Sequence, residues 1–90
     1  MSQVTDNAAR HRFELEEDGK LAFADYRRTG DRLILPHVES DPALRGQGTA
    51  GRLMEGVLQT ARSEGLKVVP LCGYAAAYMK RHKEHADLLA

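Results

Sequence analysis

The sequence predicts a single domain of the mixed α/β (α+β) class with the element order β-β-β-α-β-α. Apolar and polar residues alternate along two early segments, which is the pattern of half-buried strands. After residue 48 the apolar residues recur at helical spacing instead. A short apolar segment follows Gly65 and completes the pattern. We therefore expect an antiparallel three-stranded meander, a right-handed helix crossover and one strand parallel to the third.

Length, charge and cysteine content exclude several classes of protein. The 90 residues suit one domain with one small core, and a formal net charge of zero gives no basic surface for nucleic acid or an anionic membrane. No apolar run approaches the roughly 20 residues of a membrane span. The first seven residues lack the basic and apolar parts of a secretion signal. With its single cysteine, the chain cannot form an intramolecular disulfide and is expected to be cytoplasmic. Either a monomer or a homodimer is expected.

A flexible arm is expected before the first strand. Residues 1–11 are polar and non-periodic, so the domain proper should cover residues 12–90. From residue 12 onward the alternation begins, and Phe13 and Leu15 fall on one face of a half-buried strand.

Two tight turns connect the next strands. An Asp-Gly pair within residues 17–20 is a strong hairpin signal and leads to a second strand at residues 21–28. A turn at residues 29–31 precedes a third strand at residues 32–38. Its run at residues 33–35 is continuously apolar, which predicts burial on both faces and therefore an interior position in the sheet.

The second half of the chain alternates helix, strand and helix. Five apolar residues recur at the spacing of an amphipathic helix of about four turns: Leu53, Met54, Val57, Leu58 and Ala61. Gly65 is expected to end this helix. The strand at residues 66–71 follows, and Pro70 should end its pairing because proline has no amide N–H. Residues 73–90 are predicted to be helical.

A turn with two glycines lies between the third strand and the first helix. Its sequence is Arg45-Gly46-Gln47-Gly48-Thr49-Ala50. Glycine permits positive φ and close approach of the backbone to a ligand, and the free amides of a helix N-terminus favour an anion. The turn lacks the lysine and spacing of a Walker A loop. Residues 46–51 match a dinucleotide-binding pattern, but the antiparallel meander does not supply its βαβ unit. A tight loop that merely enters a helix is the alternative.

This turn resembles the coenzyme A pyrophosphate signature of the GNAT N-acetyltransferases. That signature begins with glutamine or arginine, has glycine three positions later, and ends with glycine or alanine two positions after that. Here Arg45, Gly48 and Ala50 occupy the three positions. The resemblance extends over residues 13–89, nearly the whole chain.

Further residues are similar to the short, single-domain branch of GNAT-like proteins. That branch carries a proline-x-cysteine-proline-tyrosine run followed by an arginine-histidine-proline run. Residues 70–74 and 78–82, together with His37 at the end of the third strand, match this arrangement. Gly73 and Lys83 stand where the branch usually has prolines.

The resemblance implies an N-acetyltransferase that uses acetyl-coenzyme A and acetylates an amine on a small molecule or a peptide. The cofactor would lie as a wedge between two splayed parallel strands. A backbone amide near Val38 would hold the oxyanion of the reacting thioester. The implied cofactor-binding residues are Val38, Glu39, Arg45, Gly46, Gln47, Gly48, Thr49 and Ala50.

Three residues are candidates for catalysis. Cys72 lies between a strand and a helix, where a helix N-terminus lowers a thiol pKa, and it could accept the acetyl group; a small buried hydrophobe is the alternative. His37 could deprotonate the amine, or could simply be hydrogen-bonded at a strand end. Tyr78 lies four residues after Tyr74, so the two project from similar sides of the helix. One of these two tyrosines could donate a proton to the departing thiolate. The alternative, expected for at least one of them, is that the ring only packs the helix against the sheet.

Other functions compete with this interpretation. The histidines do not have the spacing of metal ligands, so no metal is predicted. A non-catalytic acyl-coenzyme A binding or sensing module would keep the glycine turn and need neither His37 nor Cys72. A thiol redox protein would use Cys72 without a nucleotide.

Overall fold

The computed structural model describes residues 3–90, in which one five-stranded sheet carries two α-helices. The strands are β1 Thr5–Asn7, β2 Arg12–Glu17, β3 Lys20–Thr29, β4 Arg32–Ser40 and β5 Lys67–Pro70, and the helices are α1 Thr49–Ser63 and α2 Gly73–Arg81. Short 3₁₀ segments cover Ala8–Arg10, Pro42–Leu44 and Lys83–Leu88. No helix in residues 3–90 is long and apolar enough to cross a membrane.

The strands lie side by side in chain order. β1 to β4 pair antiparallel, and β5 pairs parallel to β4 after the crossover through α1. The mixed α/β class and the meander with one parallel strand are therefore confirmed. β4 lies between β3 and β5, as its apolar run predicted.

The segment predicted as a flexible arm contains an additional strand. Thr5 pairs with Glu14 and Asn7 with Arg12, so β1 extends the sheet at its edge. The Tyr26 hydroxyl donates to Asp6 at 2.5 Å and ties this strand to β3. The arm prediction is therefore wrong for these residues, because a short edge strand beside water needs no apolar pattern; residues 1 and 2 of the arm lie outside the described residues.

The core lies between one face of the sheet and the two helices. Alternate residues of β2, β3 and β4 face it and are almost fully buried: Phe13, Leu15, Ala22, Ala24, Tyr26, Leu33 and Leu35. The five apolar residues predicted for α1 are all 0% exposed. Burial of each large apolar side chain contributes roughly 1.5–3 kcal/mol, so this shared core fixes the helices against the sheet. We refer to the opposite side of the sheet as the outer face.

β4 loses its parallel partner halfway along its length. It pairs with β5 only from Arg32 to Leu35, and the Leu35 carbonyl then accepts the amides of Leu71 at 3.0 Å and Cys72 at 3.1 Å. Beyond Pro70 the chain turns into α2, so the predicted end of pairing at Pro70 is confirmed. A register shift in the pairing of β3 with β4 occurs at this level. Residues 36–40 of β4 therefore have β3 on one side and no strand of residues 3–90 on the other.

Helix α1 ends as expected, while the last predicted helix is shorter than its sequence suggested. Gly65 has φ +70° and follows α1. α2 stops at Arg81 because His82 leaves the helical conformation, with φ −105° and ψ 78°. The 3₁₀ segment that follows returns the chain to the core, where Leu88 is buried. Helix propensity alone could not show this return.

Candidate active site

The glycine turn presents unpaired backbone amides at the N-terminus of α1. Gly46 and Gly48 have φ +79° and +77°, a conformation that favours glycine. Gly48 directly precedes α1, and no side chain caps this helix end. The first amides of a helix have no intrahelical acceptor, and the helix dipole adds partial positive charge there. The turn is therefore suited to an anion.

An open cleft of about 270 Å³ lies against this turn. It is lined by Ser40, Leu44, Arg45, Gly46, Gly48, Thr49, Ala50, Gly51 and Tyr74. It thus joins the end of β4, the start of α1 and the first turn of α2. A larger depression of about 450 Å³ lies on the outer face, but Glu14 and Glu16 line it and would repel an anion.

The predicted cofactor-binding residues differ in what they offer to this cleft. Five of them line it, as given above, whereas Gln47 turns its side-chain amide back to the Ala43 carbonyl at 3.1 Å. The Thr49 side chain is 1% exposed and donates to Glu17, so only its backbone can serve a ligand. Glu39 lies exposed on the outer face, and Val38 lies on β4 beyond the end of the β5 pairing.

Cys72 lies where β4, the end of β5 and the start of α2 meet. It is the residue that precedes α2, and its side chain makes no capping hydrogen bond. Burial raises the pKa of this thiol, but the backbone amides of Ala75, Tyr74 and Val38 outweigh burial and lower the pKa below its ordinary value. The structure therefore brings Cys72 and the Val38 amide together, and the backbone amides shift this thiol toward its thiolate form.

His37 lies on the outer face. Its side chain is 52% exposed, and its Nε2 is 2.9 Å from Glu39 Oε1. It pairs with Asp25, and its ring lies 6.1 Å from that of Phe23. Because side chains alternate along a strand, His37 points away from the face on which Val38 and Cys72 pack against the core. His37 and Cys72 therefore lie on opposite sides of β4.

Tyr78 is engaged in a hydrogen-bond network. It is 5% exposed and its hydroxyl donates to Glu55 of α1, while His85 Nε2 lies 3.1 Å from the other carboxylate oxygen. The His82 ring stacks on Tyr78 with 3.9 Å between centroids. Burial, together with the hydrogen bond to Glu55, raises the pKa of Tyr78. This tyrosine therefore links α2 to α1.

Tyr74 is the tyrosine that lines the cleft. Its ring centroid lies 6.2 Å from that of Tyr78, on the preceding helical turn. Burial raises the pKa of Tyr74, so its hydroxyl keeps its proton at neutral pH. No group within residues 3–90 forms a hydrogen bond with that hydroxyl. Spacing alone left Tyr74 and Tyr78 equivalent, and only the packing distinguishes them.

One group of metal-ligand side chains occurs within residues 3–90. Ligand atoms of Glu55, Glu84 and His85 lie within 4.8 Å of one another. The Glu55 oxygens already accept hydrogen bonds from Tyr78 and His85. Burial alone would raise the pKa of Glu55, but these hydrogen bonds outweigh it and lower the pKa. The group is therefore explained as a network that joins α1, α2 and the C-terminal 3₁₀ segment.

Two further residues at the site had no signal in the sequence. From the sequence, Glu17 is predicted to belong to a hairpin turn, and Arg52 is predicted to lie on the solvent-exposed side of α1. In the structure they form an ion pair with 2.7 Å between Arg52 Nε and Glu17 Oε2, against the glycine turn. They are 35 positions apart in the chain, so only the fold brings them together.

A mixed sheet whose parallel strands separate beside an amide-rich turn at a helix N-terminus defines the GNAT fold of acetyltransferases. The chain belongs to the GCN5-related N-acetyl-transferase family, whose model matches residues 12–88. It is similar to the NMR structure of a GCN5-like candidate N-acetyltransferase from Staphylococcus aureus, with a TM-score of 0.77 and 22% identity over 98% of this chain and 87% of that chain. That likeness shows a shared fold, and the family predicted from the sequence is confirmed. None of the curated protein sequences compared with the chain matches it.

Proposed function

We propose that this protein is an N-acetyltransferase that transfers the acetyl group of acetyl-coenzyme A to an amine. The observation that carries the proposal is a cleft that joins the glycine turn to the end of β4, where β4 has no β5 partner, and to the first turn of α2, which Cys72 directly precedes. Family membership supports acetyl transfer as the activity. The chain has a single cysteine and therefore no intramolecular disulfide, which suits a reducing compartment such as the cytoplasm.

The cleft and the neighbouring edge of β4 offer surfaces for two parts of acetyl-coenzyme A, the pyrophosphate and the pantetheine arm. The amides of Arg45 and Gln47 donate to the carbonyls of Pro42 and Leu44. Those of Gly46, Gly48, Thr49 and Ala50 would hold the pyrophosphate at the positive end of α1. The unpaired edge of β4 at Val38 and Glu39 would hold the pantetheine arm by backbone hydrogen bonds, as an added strand does. The Val38 amide is directed at the Cys72 sulfur, so it would serve an oxyanion that forms next to that sulfur.

The reaction requires one bond to form, one to break and two protons to move. The amine nitrogen attacks the thioester carbonyl, the carbon–sulfur bond breaks, and the acetyl group remains on nitrogen as an amide. His37, whose Nε2 lies 2.9 Å from Glu39 Oε1 on the outer face, would accept the proton that the amine loses. Tyr74, which lines the cleft and keeps its hydroxyl proton, would protonate the departing thiolate in place of the hydrogen-bonded Tyr78.

Cys72 provides a second route. Its thiolate would attack the thioester first, release coenzyme A and carry the acetyl group to the amine in a second step. Intact-mass measurement after incubation with acetyl-coenzyme A would detect the acetylated cysteine. Full turnover by Cys72→Ala would exclude this route and leave direct transfer.

Calorimetric titration tests the proposal directly. The protein should bind both acetyl-coenzyme A and coenzyme A at micromolar concentration, and an absence of binding would refute the proposed function. A screen over amines on small molecules and peptides, with coenzyme A release as the readout, would then identify the acceptor.

A non-catalytic acyl-coenzyme A binding module is the second candidate. The observation in its favour is that His37 and Cys72 lie on opposite sides of β4, so no preformed pair of base and nucleophile exists between them. Tight binding with no turnover on any amine class would support this alternative.

A further inference from the structure

Glu17, at the end of β2, holds the first turn of α1. The Thr49 hydroxyl donates to Glu17 Oε1 at 2.6 Å, and Arg52 donates to both carboxylate oxygens at 2.7 Å. The hydrogen bond from Arg52 and then that from Thr49 lower the pKa of Glu17 to about 2. The carboxylate is therefore ionised across the physiological range and keeps all three hydrogen bonds.

Arg52 also contacts the glycine turn itself. Its Nη2 donates to the Gln47 carbonyl at 2.8 Å. Its Nη1 lies 3.1 Å from the position that a Cβ atom on Gly48 would occupy, so the guanidinium fills the space beside that glycine. Because a trans peptide is planar, fixing the Gln47 carbonyl also fixes the direction of the Gly48 N–H. Gly48 lines the cleft, so Arg52 fixes the orientation of a peptide at the candidate anion site.

We propose that Glu17 and Arg52 are positioning residues, which orient the Gln47–Gly48 peptide for the pyrophosphate of coenzyme A. This inference rests on the proposed function. Arg52 acts through the turn, and Glu17 acts through Arg52 and Thr49. The β2–β3 hairpin thereby determines the shape of a ligand site that lies on a different element.

A simpler role for Arg52 is that of a positive charge near an anion. The two roles predict opposite results for Glu17→Gln. If only charge mattered, removal of the carboxylate would strengthen anion binding. If Glu17 positions the turn, the same change weakens binding, since a glutamine carbonyl cannot accept all three hydrogen bonds. Arg52→Lys separates the roles again, because lysine keeps the charge and loses the planar fork.

The same helix offers a matched control. Arg62 forms a bidentate ion pair with Asp87, at 2.7 Å and 3.1 Å. It lies ten residues after Arg52, about 15 Å along the helix axis, and contacts no residue of the turn. Arg62→Lys therefore disturbs an ion pair of the same kind at a distance from the cleft.

The experiment is a calorimetric titration of the full chain with coenzyme A at fixed ionic strength. Glu17→Gln and Arg52→Lys should each weaken binding about tenfold, whereas Arg62→Lys should leave it unchanged. In the ligand-free proteins, the amide resonance of Gly48 in a ¹H–¹⁵N spectrum should shift in the first two variants only. The same spectra confirm that each variant is folded.

Other results would overturn the inference. Tighter binding by Glu17→Gln, or wild-type affinity in Arg52→Lys, would reduce Arg52 to a charge. An equal loss in Arg62→Lys would show a general effect of helix stability. If the wild-type chain does not bind coenzyme A, the proposed function fails and this inference fails with it. The wild-type titration therefore tests the proposed function, and the variants test the inference.

Discussion

Cys72 combines partial burial with three backbone amides directed at its sulfur. Burial opposes the thiolate, and the amides of Ala75, Tyr74 and Val38 favour it more strongly, so the pKa of the thiol lies below its ordinary value. The rate of alkylation by iodoacetamide should therefore reach half its maximum at a lower pH in the folded protein than in the protein unfolded by urea. Identical pH profiles for the two states would contradict the environment described for Cys72.

Tyr74 and Tyr78 should separate in function although both are tyrosines on one helix. Tyr78→Phe removes a donor from Glu55 and should lower the free energy of unfolding by about 1–3 kcal/mol, with little change in affinity for coenzyme A. Tyr74→Phe keeps the partly buried ring and should leave stability nearly unchanged. If the Tyr74 hydroxyl is the proton donor, this variant lowers kcat for acetyl transfer. Urea denaturation and steady-state kinetics on both variants would show a reversed pattern if Tyr78 were the donor.

At the scale of elements, two glycines at the start of α1 should respond in opposite directions to substitution by alanine. Gly48 has φ +77° and Arg52 beside it, so Gly48→Ala should cost about 1–2 kcal/mol of stability. Gly51 is helical, and its added Cβ would meet Tyr78 Cε2 at an ordinary 3.7 Å. Gly51→Ala should therefore stabilise the protein by about 0.5–1 kcal/mol. Thermal denaturation of both variants measures these changes. The explanation would be contradicted if both substitutions raised, or both lowered, the stability.

At the scale of the whole molecule, carboxylates with lowered pKa values connect distant elements. Glu17 joins β2 to α1, Glu55 joins α1 to α2, and Asp87 joins the C-terminal 3₁₀ segment to α1. Arg52 and then Thr49 lower the pKa of Glu17 from 4.5 to about 2, and the hydrogen bond from Arg62 lowers that of Asp87. Acid should therefore weaken these contacts between elements, which are intact at neutral pH.

The sign of this pH dependence follows from linkage. Each group has a folded-state pKa below its unfolded value, so the unfolded chain binds more protons between the two values. The stability that these groups contribute is present above pH 4.5 and decreases as the pH falls toward about 2 for Glu17. Urea midpoints measured from pH 7 to pH 3 should fall below about pH 4.5, and less steeply in Glu17→Gln. A flat profile in the wild-type protein would contradict this linkage.

Local patterns predicted the elements well where the physical cause was local. Alternation located β2 and β3, helical periodicity located α1, and Pro70 ended β5 because it lacks an amide hydrogen. The same kind of argument failed at the N-terminus, where β1 is polar and short. It also overextended α2, because the chain leaves the helix at His82 to return Leu88 to the core.

The sequence by itself determined the fold class, the family resemblance and the glycine turn, because all three depend on residue types at fixed spacing. Only the tertiary structure decided which side of β4 each candidate occupies. It placed Cys72 beside the Val38 amide, His37 on the outer face, Tyr74 in the cleft and Tyr78 on Glu55. It also joined Glu17 to Arg52 across 35 positions. These facts depend on contacts between elements, and no local spacing in a chain encodes such contacts.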